Sequence, residues 1–282
     1  MSLLDPRIGA LLDRIEALLD RGERLLPAPP ETSWNAIAWR WREGRLQPIR
    51  HIDGIHPRDL LHIERQKKAL IANTVNFLSD LPANHALLWG SRGAGKSSLI
   101  KALLQAFAED GLRLIEVDKH DLVQMPDIIR PLHERPERFL LFCDDLSFEE
   151  GDAGYKSLKA AIDGSIEKTP PNVLIYATSN RRHLLPEQQR DNLEARMVDG
   201  EIHHGDAVEE KISLSERFGL WLSFHPFNQD QYLDIVRYWA SQLEVSLDDD
   251  RWREEALRYA LHRGSRSGRV ARQFVGHWAC SY

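Results

Sequence analysis

The chain has 282 residues, enough for one large domain or for a core with a smaller attachment. Its 42% hydrophobic and 28% charged residues are ordinary for a soluble globular protein. No apolar run nears the ~20 residues of a membrane span, and the N-terminus lacks a signal-peptide pattern, so no span and a cytoplasmic setting are expected. The net charge of −6 argues against a strongly electrostatic nucleic-acid footprint without excluding a local basic patch.

In chain order, residues 3–26 read as an amphipathic helix. Leu4, Ile8, Leu11, Ile15 and Leu18 form its apolar stripe, suited to the protein's own body or to a partner helix. Pro27, Pro29 and Pro30 end it in a stiff linker. Residues 37–46 alternate apolar and basic side chains, which suggests a short strand or hairpin turning near Gly44. Trp39 and Trp41, interleaved with Arg40 and Arg42, suit either base stacking or burial of the aromatics with the arginines solvated.

From residue 57 the rhythm becomes α/β. A helix is expected over 60–78 and short apolar strands over 86–89, 112–117, 139–143, 173–178 and 220–224. Helical stretches separate them at 98–109, 127–134, 155–163 and 206–217. Five such strands with crossovers make a parallel sheet sandwiched by helices, with its ligand beyond the strands' carboxyl ends. The polar stretch 183–205 is expected to be a mobile loop. Three further helices, 228–243, 248–262 and 268–279, form a small all-α piece. The expected division is therefore 1–56, an N-terminal helix, linker and strand or hairpin; 57–226, the α/β core; and 227–282, a helical lid. Of the two cysteines, Cys143 lies in a strand-like apolar run, as a buried reduced thiol would.

The most specific signal is Gly90-Ser91-Arg92-Gly93-Ala94-Gly95-Lys96-Ser97, a full match to G-x-x-x-x-G-K-[ST] between an apolar strand and a helix that continues through Ser98. Glycines let the backbone N–H groups turn inward onto phosphates, and the dipole of the next helix favours the same anion. Lys96 is expected at the β/γ-phosphates and the Ser97 hydroxyl on Mg²⁺, so the chain is expected to bind a nucleoside triphosphate. Asp144 and Asp145 cap the strand 139–143. A hard cation between phosphates needs an anionic oxygen, which suits Asp144, and Asp145 is placed to orient or deprotonate an attacking water. Asn180, at the end of strand 173–178, offers both a donor and an acceptor to that water and the γ-phosphate. Arg217, just before the last strand, suits either a finger reaching a neighbour's γ-phosphate or a surface ion pair. Arg269 opens the last helix and is placed to close over the nucleotide, with Arg266 and Arg272 as competitors. The pair His203-His204 reads as solvent-exposed rather than metal-binding. Arg181-Arg182-His183 suits an anionic partner or nearby carboxylates.

Taken together these segments resemble the AAA+ ATPases. GSRGAGKS resembles the Walker A box, FLLFCDD the Walker B box, YATSN sensor 1, LSERFGLWLSF the arginine-finger box and SGRVARQF the sensor 2 helix. Residues 58–68 resemble the adenine-flanking box, which would put Leu60 and Leu61 near the base. Longer strings, among them FLLFCDDLSFEEGDAGYKSLKAAIDG, are similar to an uncharacterised bacterial family of AAA+ ATP-binding proteins. The resemblance implies ATP with Mg²⁺, catalytic roles for Asp145, Asn180, Arg217 and Arg269, and a homo-oligomer in which Arg217 serves a neighbour. It names no client, protein or DNA. The finger box is also similar to that of the bacterial replication initiator. Two departures stand out. Asp145 replaces the usual Glu, with Glu149 and Glu150 suited either to compensate for it or to lie on the surface; His62 stands where a glycine is usual. The expected function is thus an ATPase coupled to lid and subunit movement. The alternative is an ATP-dependent switch or loader with very slow hydrolysis.

Overall fold

The computed structural model describes residues 14, 32–52, 54–148, 152–163, 169–182, 184, 196–198, 201–203, 214–247 and 251–281. The chain divides into two compact units, Met1–Ser33 and Trp34–Tyr282. Arg14 apart, the helix expected over 3–26 lies outside the described residues, as does the proline linker.

The second unit is built on strands β1 (Ala38–Arg42), β2 (Arg45–Pro48), β3 (Ala86–Gly90), β4 (Leu112–Glu116), β5 (Arg138–Cys143), β6 (Val173–Ser179) and β9 (Leu220–Phe224). They form one sheet in the order β2-β1-β4-β5-β6-β3-β9. Every neighbouring pair is parallel except β1 with β2. The sheet therefore has seven strands where the sequence suggested five, because the hairpin at 38–48, assigned to the N-terminal segment, pairs with β4. Glu43 and Gly44 both have positive φ, 54° and 71°, the backbone of a tight turn whose twist matches its strands. Trp39 and Trp41 are buried while Arg40 and Arg42 are exposed, which decides for burial over base stacking.

Alternation along the strands sorts side chains onto two faces. Leu88, Leu114, Leu140, Phe142, Leu174 and Tyr176 face one core, whereas Leu87, Ile115, Leu141, Cys143 and Ile175 face the other. Burial pushes the Cys143 thiol up to about 12, as expected of a packed, reduced cysteine. The first face is covered by α1 (Glu64–Leu78), α2 (Lys96–Phe107) and the C-terminal helices. The second is covered by the segment from residue 119 to 132 and by α4 (Ala153–Asp163). In that segment, α3 (Met125–Ile129) is flanked by 3-10 turns in place of one helix over 127–134. Pro126 starts α3, and Pro131 lacks the N–H needed to extend it.

At the C-terminus, α5 (Gln229–Gln242), α6 (Arg251–His262) and α7 (Gly268–Ser281) share one apolar cluster with the first sheet face. Asn228 caps α5 reciprocally with Gln231, at 2.9 and 3.0 Å. Within 183–205, β7 (Arg196–Val198) and β8 (Glu201–His203) pair antiparallel, where a structureless loop was expected. Of the helix expected over 206–217, residues 206–213 lie outside the described residues and 214–216 form a helical turn. Among the described residues no helix is long and apolar enough to cross a membrane.

Candidate functional site

Strand order places the site. The chain leaves β3, next to the edge strand β9, and returns in β4 on the far side of β6 and β5, so a crevice opens at the carboxyl ends of β3, β5 and β6. The glycine-rich loop leaves β3 there. Gly90 has φ 126°, and a Cβ on it would stand 2.0 Å from the Phe224 carbonyl oxygen, so no side chain fits. At Gly93, φ 73°, a Cβ would stand 2.5 Å from Ser267 Cβ. Here the loop meets the start of α7, whose Gly268 N–H donates to the Gly93 carbonyl at 3.2 Å.

Lys96 opens α2 and turns back under the loop. Its Nζ donates to the carbonyls of Gly90 and Ser91, each at 2.8 Å, and to Asn180 Oδ1 at 3.1 Å. Burial holds its pKa below the ordinary lysine value, opposed by the charges of Asp145 and Asp144. Ser97 Oγ donates to Asp144 Oδ1 at 2.6 Å. Thr178 Oγ1 donates to the same oxygen at 2.6 Å and accepts the Asp145 N–H at 2.8 Å. The Asn180 amide closes the ring by donating to the Asp145 carboxylate. Asp145 sits at φ 50°, a left-handed conformation that costs roughly 1–2 kcal/mol for an L-residue. The end of β6 holds this turn: Leu146 N–H donates to the Thr178 carbonyl and Ser179 Oγ to the Leu146 carbonyl, both at 2.7 Å.

These groups line a cavity of about 770 Å³ between the loop, the turn at 55–63 and the C-terminal helices. Of the residues expected at the site, Arg92 to Ser98, Leu60, Leu61, Asp144, Asp145, Asn180 and Arg269 line it. Gly90 and Ser91 lie beneath, holding Lys96 through their carbonyls. Arg217 is not among the lining residues. It donates through Nε to the carboxylate of Asp163, at the end of α4. Arg272, one of the competitors for Arg269, also lines the cavity, its guanidinium 4.9 Å from the Trp239 ring centre. Arg266 is exposed and stands outside the lining.

Sequence reasoning missed Thr178, Lys101 and Trp239 in the lining. Thr178 reads simply as a β-branched strand residue; Lys101 was legible as one turn beyond Ser97; Trp239 had no local signal. His62 takes φ 62°, the left-handed conformation that glycine favours, and its Nε2 lies 3.4 Å from Asp234 Oδ2 on α5. It therefore delays the start of α1 to residue 64, four residues later than expected. Asp59 in the same turn accepts the Tyr238 hydroxyl at 2.5 Å, a second polar tie to α5. Glu149, Glu150, His183 and His204 lie outside the described residues. Arg182 lies over the Trp89 ring, 5.7 Å from its centre. Among the described residues no group of three or more His, Cys, Asp or Glu is arranged to hold a metal ion.

Residues 32–282 match the family described as Protein of unknown function (DUF815). The chain belongs to the DUF815 family. No curated protein matches this DUF815 chain. Solved structures do. One single-residue variant of Thermotoga maritima RuvB is similar over 78% of the DUF815 chain and 63% of its own, at 18% identity and TM-score 0.53. A second RuvB variant from that organism is similar over 80% and 62%, at 19% identity and TM-score 0.51. The AAA domain of FIGL-1, solved in complex with ADP, is similar over 82% and 74%, at 16% identity and TM-score 0.52. The chain spans about three fifths of the length of the RuvB chains it matches. At these identities the likeness concerns the fold, and the fold is that of AAA+ P-loop ATPases.

Proposed function

We propose that the DUF815 chain is a Mg²⁺-dependent ATPase. Its hydrolysis would couple movement of the lid, 227–282, against the core, 57–226, and contacts between copies, to work on a macromolecular client, protein or DNA, in the cytoplasm. One observation carries this reading: Lys96, Ser97, Asp144, Asp145 and Asn180 are joined in one hydrogen-bonded ring on the wall of a cavity that Arg269 also lines. The ADP bound to the FIGL-1 AAA domain, which shares the fold, supports a nucleotide as the ligand.

The roles follow from the groups. Lys96 and the loop N–H groups hold the β- and γ-phosphates, and Leu60 and Leu61 flank the base. Ser97 Oγ and Asp144 Oδ1, 2.6 Å apart, are the hard oxygen donors that Mg²⁺ prefers. Bound there, Mg²⁺ supplies positive charge to the triphosphate. Asp145 and Asn180 orient a water whose oxygen attacks the γ-phosphorus as its bond to the ADP oxygen breaks. Asp145 accepts the water's proton directly, at ~2.6–3.2 Å, or through one further water. Arg217 of a neighbouring copy and Arg269 in cis neutralise the charge that spreads over the transferring phosphoryl group.

A second reading, an ATP-dependent switch or loader with very slow hydrolysis and a possible link to DNA, is favoured by Asp145 itself. Its carboxylate is one methylene shorter than glutamate and is held by Asn180. Phosphate release by the purified chain, compared with Asp144→Ala, separates the two. The ATPase reading expects Mg²⁺-dependent release that the substitution abolishes, whereas the switch reading expects tight binding with negligible release from either protein.

A further inference from the structure

Thr178 is about 1% exposed and stands in a strand whose packing and β-propensity valine would satisfy equally. What valine lacks is the hydroxyl. An ionised carboxylate has no proton to give, so the direction of each bond is set: Thr178 Oγ1 donates to Asp144 Oδ1 and accepts from the Asp145 N–H. Its carbonyl takes the next N–H, that of Leu146. One residue of β6 thus fixes the orientation of one acidic side chain and the backbone of the next. Among the described residues, Ser97 and Thr178 are the side chains that donate to Asp144.

We infer that Thr178 is the positioning residue of the acidic pair: it orients Asp144 toward the Mg²⁺ that accompanies the nucleotide and holds Asp145 in the left-handed turn from which its carboxylate reaches Asn180. The inference rests on the Mg²⁺–ATP reading above. It also gives the Asp-Asp arrangement a physical basis, because the shorter second carboxylate is served by a backbone held from below. Removing the hydroxyl takes a charge-assisted bond from Asp144 and leaves the Asp145 N–H without its acceptor. Lys96 and the phosphate loop are untouched, so the loss should appear in the coupling between Mg²⁺ and nucleotide rather than in nucleotide binding as such.

The test is calorimetric titration of the full chain with ATP, once with Mg²⁺ and once with EDTA, for wild type, Thr178→Val and Thr178→Ser. In EDTA all three should bind ATP alike. The gain in affinity on adding Mg²⁺ should fall by about 10- to 100-fold in Thr178→Val, the range for losing a hydrogen bond to a metal-binding carboxylate. Thr178→Ser should restore most of it. Thr178→Ala, which removes the hydroxyl without adding bulk, carries the same expectation as Thr178→Val if the latter fails to fold. A full Mg²⁺ gain in the hydroxyl-less variant, or a loss in Thr178→Ser as large as in Thr178→Val, overturns the proposal. Wild type that binds no ATP under either condition overturns the nucleotide reading, and this inference with it.

Discussion

Tyr176 and Thr178 lie two residues apart on β6, on the same face of the sheet, and both bury a hydrogen-bonded hydroxyl. Tyr176 Oη meets Asn73 Nδ2 at 2.9 Å and Thr74 Oγ1 at 3.0 Å, both from α1. All three groups are neutral and sealed in the core, and burial raises the tyrosine pKa. Thr178 bonds instead to two acidic residues that open onto the cavity. One network is closed, so its free energy goes into holding α1 against the sheet. The other ends in charges and a left-handed residue, which cost stability and lie on the wall of the cavity. Cavity-side changes should therefore move turnover and leave stability nearly unchanged, and core-side changes should do the reverse.

The largest effect expected is at Arg217, proposed above to serve the site of a neighbouring copy. Arg217→Ala should lower turnover by roughly 10³–10⁵-fold with ATP affinity kept. Mixing it with Lys96→Ala should restore part of the rate, as phosphate-release assays on the mixture will show. Asp145→Asn comes next, with turnover lower by about 10²–10⁴-fold and an unchanged melting temperature. A large fall in melting temperature there would erase the distinction between the two networks.

On the core side, His85 is nearly buried and its Nδ1 accepts the Ile175 N–H at 2.9 Å, while burial lowers its pKa from 6.5 to about 4. The unfolded chain thus binds a proton at a pH where the folded chain does not. The stabilisation is complete above pH 6.5 and is lost as pH falls toward 4, by on the order of 3 kcal/mol. Denaturant unfolding between pH 6.5 and 5 should show this slope, and His85→Gln should flatten it. The smallest effect is that of Tyr176→Phe. Asn73 Nδ2 keeps the Asn84 carbonyl at 2.8 Å and Thr74 keeps the Leu70 carbonyl at 2.8 Å, so the expected cost is only about 1 kcal/mol. The Mg²⁺ gain in ATP affinity should not change at all in this variant.

What could be read in advance follows the range of the interaction. The strands β3, β4, β5, β6 and β9 were legible because short, nearly unbroken apolar runs leave a local pattern, and the phosphate loop because its glycines and Lys96 lie within eight residues. The pairing of β1 with β4 was not, since a half-buried hairpin carries no mark of the strand it will join. The late start of α1 depends on His62 taking a glycine-like φ, which composition does not reveal. The contact of Arg217 with Asp163 joins residues 54 positions apart, and the place of Trp239 in the cavity depends on how α5 folds over the loop. Thr178 escaped notice because its methyl fits the strand pattern and its hydroxyl acts across to the end of β5.

The most direct test is phosphate release measured over a wide range of chain concentration, with Mg²⁺ and with EDTA. Mg²⁺-dependent release from ATP is expected, with a rate per chain that rises as copies associate and disappears in Lys96→Ala. A rate per chain that persists undiminished at high dilution would contradict the shared Arg217, and no Mg²⁺-dependent release at any concentration would contradict the ATPase itself.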